Sequence, residues 1–208
     1  MLDELVKFFV VLLVVVEPLS LLPVLAGLTE GADDSYRRRM SCKAVGIAAA
    51  VCLVFAAGGS ALLAILGISV HAFKVGGGIL LFLLAVEMVF ARPSGARSIT
   101  PGEDAEAHHR GDISVFPLAF PLISGPGALA VILLAFAGVP PASLQFAAQV
   151  VVILLVLTIT LALMLATGPV MRVVGVTGGA VLGRLLGVLL AALAAQFVMD
   201  GIRGAMAA

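Results

Sequence analysis

A chain of 208 residues that is 62% apolar and only 12% charged is too hydrophobic for a water-soluble domain, because soluble domains are about half apolar and roughly 25% charged. Its 12 basic and 12 acidic side chains balance, so the composition gives no sign of nucleic-acid binding. The composition predicts an all-α integral membrane protein whose surroundings are the lipid bilayer.

Six apolar runs reach the roughly 20 residues that a helix needs to cross the hydrocarbon core. In chain order the predicted spans are 5–28, 44–66, 72–90, 113–138, 144–165 and 180–199. The connections 29–43, 91–112 and 166–179 are polar, whereas those around 67–71 and 139–143 are short and nearly uncharged.

The distribution of basic residues predicts the orientation. With six spans, one side of the membrane would hold only Lys7, Lys74 and Arg203. The other side would hold Arg37, Arg38, Arg39, Lys43, Arg92, Arg97, Arg110, Arg172 and Arg184. Because Lys and Arg concentrate in cytoplasmic loops, we expect an inner (plasma) membrane protein with both termini on the periplasmic or extracellular side.

The two halves of the chain share a spacing of motifs. At an offset of 103, Pro18 and Pro23 match Pro121 and Pro126. At offsets of 110 to 109, Lys74, Gly78 and Glu87 match Arg184, Gly187 and Gln196. An odd number of spans in each repeat forces opposite insertion, so we predict two inverted three-helix repeats, 1–91 and 113–208, joined by a cytoplasmic linker, 92–112. Chance similarity between two Gly-rich apolar segments is the alternative.

Proline motifs interrupt the first and fourth predicted spans, at residues 17–23 (EPLSLLP) and 121–127 (PLISGPG). A proline inside a helix removes one backbone hydrogen bond and clashes with the preceding turn. In lipid, a broken helix survives only where it is packed in protein or lines a wet cavity. Interrupted segments at matching positions of two halves point to a transporter's binding site. The alternative is that these prolines only kink the helices for packing.

Two broken helices facing each other would suit a zwitterion, because helix N-terminal ends offer unpaired N–H groups and C-terminal ends offer unpaired carbonyls. A substrate carboxylate is expected near 125–127, and its ammonium group near 15–18. The predicted substrate-binding residues are Glu17, Pro18, Ser20, Pro23, Pro121, Ile123, Ser124, Gly125, Pro126 and Gly127.

Glu17 lies about half-way along the first predicted span. A carboxylate at that depth costs at least ~2.5 kcal/mol, so it is a candidate functional residue. It could bind an ammonium group or carry the proton that couples transport. A protonated structural glutamate that is hydrogen-bonded to a neighbouring helix is the third alternative.

Enzymatic chemistry finds no support in the sequence. His71, His108 and His109 lack zinc-site spacing, and no Lys-Ser/Thr pair follows Gly76–Gly78 to complete a phosphate loop. Ser20 and Ser124 have no histidine partner within a membrane segment. We therefore predict a protein that is not an enzyme and has no cofactor and no metal.

Residues 116–128 (FPLAFPLISGPGA) resemble the signature of the MarC family, which includes small neutral amino acid transporters of the SnatA/NAAT type. Residues 28–31 (LTEG), 76–82 (GGGILLF) and 184–192 (RLLGVLLAA) fit the same pattern. The resemblance implies a six-span inner-membrane protein, with glycine and alanine as substrates of some members. Glu17 stands where the pattern usually has Asp or Asn, Ser20 where Gly is common, and Ala130 where a small hydroxyl residue is frequent.

Together, these observations predict a secondary transporter of small neutral amino acids that works by alternating access, with proton coupling through Glu17 as an open option. Two alternatives remain: an exporter of another small solute on the same scaffold, and a non-transporting regulatory protein that docks a membrane partner through its Gly-rich faces. A homo-oligomer is compatible with each of them.

Overall fold

The computed structural model describes residues 2–90 and 112–207, and the elements within these ranges are helices. In chain order they are α1 (Leu2–Val16), α2 (Pro18–Leu28), α3 (Asp34–Ile65), α4 (Val70–Phe90), α5 (Ser114–Ile123), α6 (Pro126–Phe136), α7 (Leu144–Leu165) and α8 (Thr167–Ala207). Apart from Asp112, the predicted linker lies outside the described residues.

Within these ranges, five helical segments are long and apolar enough to cross a membrane. They are α1 with α2, α3, α4, α7 and the Gly178–Ala207 part of α8. The pair α5 and α6, bent by 58° at its break, makes a sixth if it is counted as one span. The protein therefore has five or six candidate spans.

Two predicted polar connections prove to be largely helical. The prediction for 29–43 was wrong from Asp34 onward, because α3 begins there with an acidic first turn, an ion pair between Arg37 and Asp34, and a hydrogen bond from Ser41 Oγ to the Arg37 carbonyl. The prediction for 166–179 was wrong in part: a helix begins at Thr167, but it is interrupted at Gly175 (φ 63°, ψ 173°), and the apolar span begins only at Gly178. Hydropathy locates the bilayer-facing part of a helix and does not mark where the helix itself ends.

The first proline motif interrupts the helix at a single residue. Glu17 has left-handed backbone angles (φ 46°, ψ 63°), and Pro18 takes the first position of α2, which suits a residue without an N–H group. The Glu17 N–H still donates to the Leu13 carbonyl at 2.9 Å. Pro23 lies inside α2, which continues through it to Leu28.

The second proline motif distorts α5 over a longer stretch. Phe116 and Phe120 have extended backbone angles, because each precedes a proline whose ring excludes the helical conformation of its neighbour. Hydrogen bonds reach back five residues across both positions, from Leu118 N to the Ile113 carbonyl at 3.3 Å and from Ser124 N to the Ala119 carbonyl at 2.9 Å. The result is a widened helix that ends beside α6.

Helices of the two halves interleave. The pair α1 and α2 packs on α7 and α8, whereas α5 and α6 pack on α3 and α4. The most extensive contact joins α4 to α8. The two helices run antiparallel, since the start of α4 at His71 lies beside Gly201 and its end at Met88 lies beside Gly187. Glycines bring the two backbones together, as is usual between membrane helices.

Gly78 is one of the closest points of this α4–α8 contact. A Cβ atom added there would lie 2.8 Å from Val198 Cγ2 and 2.9 Å from the Ala194 carbonyl oxygen. The same atom added at Gly76 would meet nothing within 4 Å. The two glycines share one helix and differ only in what they face.

We expect Gly78→Ala to lower the free energy of unfolding by about 1–3 kcal/mol, as overpacking of a filled contact does. Gly76→Ala is the control and should be neutral or stabilise the helix by up to about 1 kcal/mol. Thermal unfolding of both purified variants in detergent measures the difference. Equal melting temperatures would contradict the packing that the structure shows.

Candidate functional site

The second break is built around Gly125. This residue precedes α6 with an extended backbone (φ −69°, ψ 171°), and Pro126 occupies the first helical position. A Cβ atom at Gly125 would overlap the carbonyl oxygen of Pro121, so the chain requires glycine here. Ser124 is fully buried, and its hydroxyl donates to the Ala119 carbonyl at 2.7 Å. The break is thus packed and hydrogen-bonded on the α5 side.

The N-terminal end of α6 is open on its other side. Its first helical hydrogen bond runs from Leu129 N to the Gly125 carbonyl at 3.1 Å, so the N–H groups of Gly127 and Ala128 have no acceptor within the helix. The residue before the helix, Gly125, has no side chain that could cap this end. The adjoining cleft has a volume of about 40 Å³ and is lined by Val15, Leu80, Leu84, Leu122, Ile123, Gly125, Pro126, Gly127 and Ala128.

The first break contributes to this cleft through Val15. A Cβ atom on Gly127 would lie 3.1 Å from Val15 Cγ1 and 3.1 Å from Leu84 Cδ2. Val15 belongs to the last turn of α1, where Pro18 has no N–H to offer the Val14 carbonyl. The C-terminal end of α1 therefore lies against the N-terminal end of α6 through the Val15 side chain, and the two helix dipoles have opposite sign at these ends.

Glu17 faces α8 and does not line the cleft. Its side chain is buried, with 8% exposed, and a Cβ atom on Gly183 would lie 2.7 Å from its Oε1 atom. Glycine at position 183 is what lets the carboxylate approach α8 this closely. Nothing in the sequence pattern singled out Gly183, because its partner is 166 positions away in the chain.

The predicted site residues thus divide between two places. Ile123, Gly125, Pro126 and Gly127 line the cleft. Ser124 and Pro121 lie behind it, and Pro18 is buried beside Glu17. Ser20 and Pro23 line a second cavity of about 190 Å³ against α8, with Leu19, Leu22, Val170, Met171, Val174, Gly175, Gly179 and Ala180. Substrate binding by these residues stays a prediction.

The contribution of α4, whose Leu80 and Leu84 form one wall of the cleft, was not predicted from the sequence. Both lie in an unbroken apolar run, so no local signal distinguishes them from lipid-facing leucines. Metal chemistry has no candidate here, since no three His, Cys, Asp or Glu side chains converge in residues 2–90 and 112–207. His108 and His109 lie outside the described residues.

A double-mutant cycle tests the contact between Glu17 and Gly183. Gly183→Ala should lower the free energy of unfolding by about 0.5–1.5 kcal/mol, because the Glu17 side chain has to leave its preferred rotamer. In a Glu17→Ala background the same substitution should cost nothing, since the clashing carboxylate is gone. Melting temperatures of the four proteins in detergent give the coupling energy, and additive effects would contradict the contact.

Comparisons with known proteins agree with one another. The sequence matches the MarC family of integral membrane proteins over residues 2–206. It is 35% identical to the UPF0056 membrane protein MJ1677 of Methanocaldococcus jannaschii over 192 residues, which cover 92% of each chain. It is 32% identical to the UPF0056 inner membrane protein YhgN of Escherichia coli over 202 residues, 97% of each chain.

A relative in Bacillus subtilis, the UPF0056 membrane protein YvbG, is 29% identical over 204 residues, with 98% of this chain and 96% of the relative covered. No solved structure matches the chain. The family match and these relatives extend over nearly the whole sequence, so they apply to the complete set of helices. The protein is a multi-pass integral membrane protein of the MarC family.

Proposed function

We propose that this protein is a secondary transporter of small neutral amino acids across the inner membrane. The observation that carries the proposal is the meeting of the α6 N-terminal end with the α1 C-terminal end at one cleft. N–H groups of Gly127 and Ala128 would bind the substrate carboxylate. Backbone carbonyls in the last turn of α1 would accept hydrogen bonds from its ammonium group.

The walls of the cleft favour a small apolar side chain on the substrate. Val15, Leu80, Leu84 and Ile123 supply aliphatic surface, and the lining includes no charged residue. A charged substrate side chain would lose its hydration there without gaining a partner. Glycine and alanine fit this chemistry and are the substrates that we propose to test first.

Alternating access around a central site is supported by reciprocal contacts that suggest two inverted repeats. Gly78 lies against the Ala194 carbonyl and Val198, while Gly187 lies against the Ala85 carbonyl and Val89. The offset of 109 between the two halves relates positions 78, 85 and 89 to positions 187, 194 and 198. Equivalent residues of the two halves therefore make equivalent contacts. The interleaved packing of α1–α2 and α5–α6 on the opposite halves is reciprocal as well.

Proton coupling through Glu17 is the second part of the proposal. The sequence has no nucleotide-binding motif, so a solute or proton gradient would drive transport. Glu17 combines burial within an apolar span, left-handed backbone angles and close packing on α8. A buried intramembrane carboxylate of this kind is a default candidate for proton transfer.

Uptake of labelled glycine and alanine into proteoliposomes tests the site. Gly125→Ala and Pro126→Ala should each reduce uptake roughly tenfold or more, because a displacement of about 1 Å in a positioned group has effects of that order. Gly46→Ala is the matched control, since its added Cβ meets nothing within 4 Å. It should leave both uptake and membrane insertion unchanged.

Three results would count against this proposal. Uptake by Gly125→Ala equal to that of Gly46→Ala would exclude the break as the substrate site. Uptake that is absent from the unmodified protein, with and without a pH gradient, would point to another solute or to a role without transport. Uptake that responds to the gradient equally in Glu17→Gln would exclude Glu17 as the coupling residue.

We also propose that both termini face the periplasm or the cell exterior. Arg37, Arg38 and Arg172 border one cavity, and Lys43 pairs with Asp112, the last residue of the predicted linker. The hydrogen bonds from Lys43 and Ser114 to the Asp112 carboxylate hold its pKa well below its usual range, so this pair persists throughout the physiological pH range. The clustering of basic residues at one end favours a cytoplasmic position for it.

Cys42 offers a direct test of this orientation, because it is exposed next to Lys43 while Cys52 is buried. A membrane-impermeant maleimide should leave intact cells unlabelled and should label inverted membrane vesicles. Cys42→Ser should abolish the labelling of vesicles and so identifies the reacting thiol. Labelling of intact cells to the same extent as vesicles would reverse the orientation.

A further inference from the structure

A basic cavity at one end of the helices has no part in the proposed transport site. It has a volume of about 740 Å³ and is lined by Asp34, Arg37, Arg38, Leu165, Gly168, Pro169 and Arg172. Its walls come from the first turns of α3, the end of α7 and the start of α8. Residues about 130 positions apart in the chain therefore present their guanidinium groups to one space.

The charge of the cavity lining is unbalanced. Three arginines face a single aspartate, which leaves a net charge of +2. Asp34 is engaged by Arg37. Within the described ranges, neither Arg38 nor Arg172 has an acidic partner, and both are exposed. Two guanidinium groups from different helices are thus available for an anion.

Guanidinium groups recognise phosphate through paired, charge-assisted hydrogen bonds. The apolar part of the cavity lining favours one class of phosphate compound. Leu165 and Pro169 line the cavity, and Leu165, which is 45% exposed, ends the apolar helix α7. A free phosphate ion would gain nothing from these side chains, whereas an acyl chain would cover them.

We infer that this cavity binds the phosphate group of an anionic phospholipid, with Arg38 and Arg172 as its principal partners. The acyl chains would follow Leu165 along the outside of α7. Basic pockets between membrane helices are known places for anionic head groups. The inference is independent of whether the protein transports amino acids.

Native mass spectrometry of the purified full-length protein tests this inference by titration with dioleoyl phosphatidylglycerol or dioleoyl phosphatidylcholine. We expect phosphatidylglycerol to be retained preferentially. Each of Arg38→Gln and Arg172→Gln should weaken its binding about fivefold, the equivalent of about 1 kcal/mol for each basic residue. The matched control is Arg39→Gln, an exposed arginine on the same helix that does not line the cavity.

Specific outcomes would overturn the inference. If the protein retains the two lipids equally, the cavity does not select anionic head groups. If Arg39→Gln weakens phosphatidylglycerol binding as much as Arg38→Gln and Arg172→Gln do, the basic surface attracts anionic lipids without a specific site. Displacement of phosphatidylglycerol by millimolar inorganic phosphate would identify a site for soluble anions instead. If a glutamine variant fails to fold, the charge-preserving variants Arg38→Lys and Arg172→Lys replace it. They should weaken binding by losing the paired hydrogen bonds, and unchanged binding would contradict the proposed contacts.

Discussion

The constraint on which this structure depends is that backbone groups inside a bilayer must find partners within the protein. The second proline motif meets it with hydrogen bonds that reach back five residues and with the Ser124 hydroxyl. At the C-terminal end of α6, side chains are the partners of the backbone carbonyls. Gln149 donates to the Ala135 carbonyl at 3.0 Å, and Ser60 donates to the Phe136 carbonyl at 3.4 Å. At the start of α6, by contrast, the N–H groups of Gly127 and Ala128 have no acceptor within the helix, so they are available for a ligand.

The two breaks carry different chemistry. At the first, one residue leaves the helical conformation, and its carboxylate turns toward α8. At the second, a widened helix ends in a glycine, and bare N–H groups border a cleft. If the protein is a transporter, the second break would bind the substrate carboxylate, whereas the first would serve both the ammonium group and energy coupling. Val16 alone separates Val15, which lines the cleft, from Glu17.

Hydropathy and proline spacing were sufficient to predict the main helices and where to look for a site. The span 144–165 agrees with α7, and the bend at 124–126 falls within the predicted motif. The polar first turns of α3 were not predicted to be helical, because hydropathy detects only apolar segments and these turns contain charged residues such as Arg37. Pro23 was expected to open the helix, but α2 continues through it, because one missing hydrogen bond is tolerated in a packed helix. The contacts of Val15 and Gly183 depend on tertiary packing, which no local pattern records.

The glycine contacts between α4 and α8 have a mechanical consequence. At Gly78, Gly187 and Gly201 there is no clearance even for a methyl group, so these two helices cannot slide or roll against each other without separating their backbones. The two helices therefore move as one unit, although both are largely exposed along their outer faces. If the protein works by alternating access, the movement would lie between this pair and the pairs α1–α2 and α5–α6. Their proline breaks would then be the hinges as well as the binding surfaces.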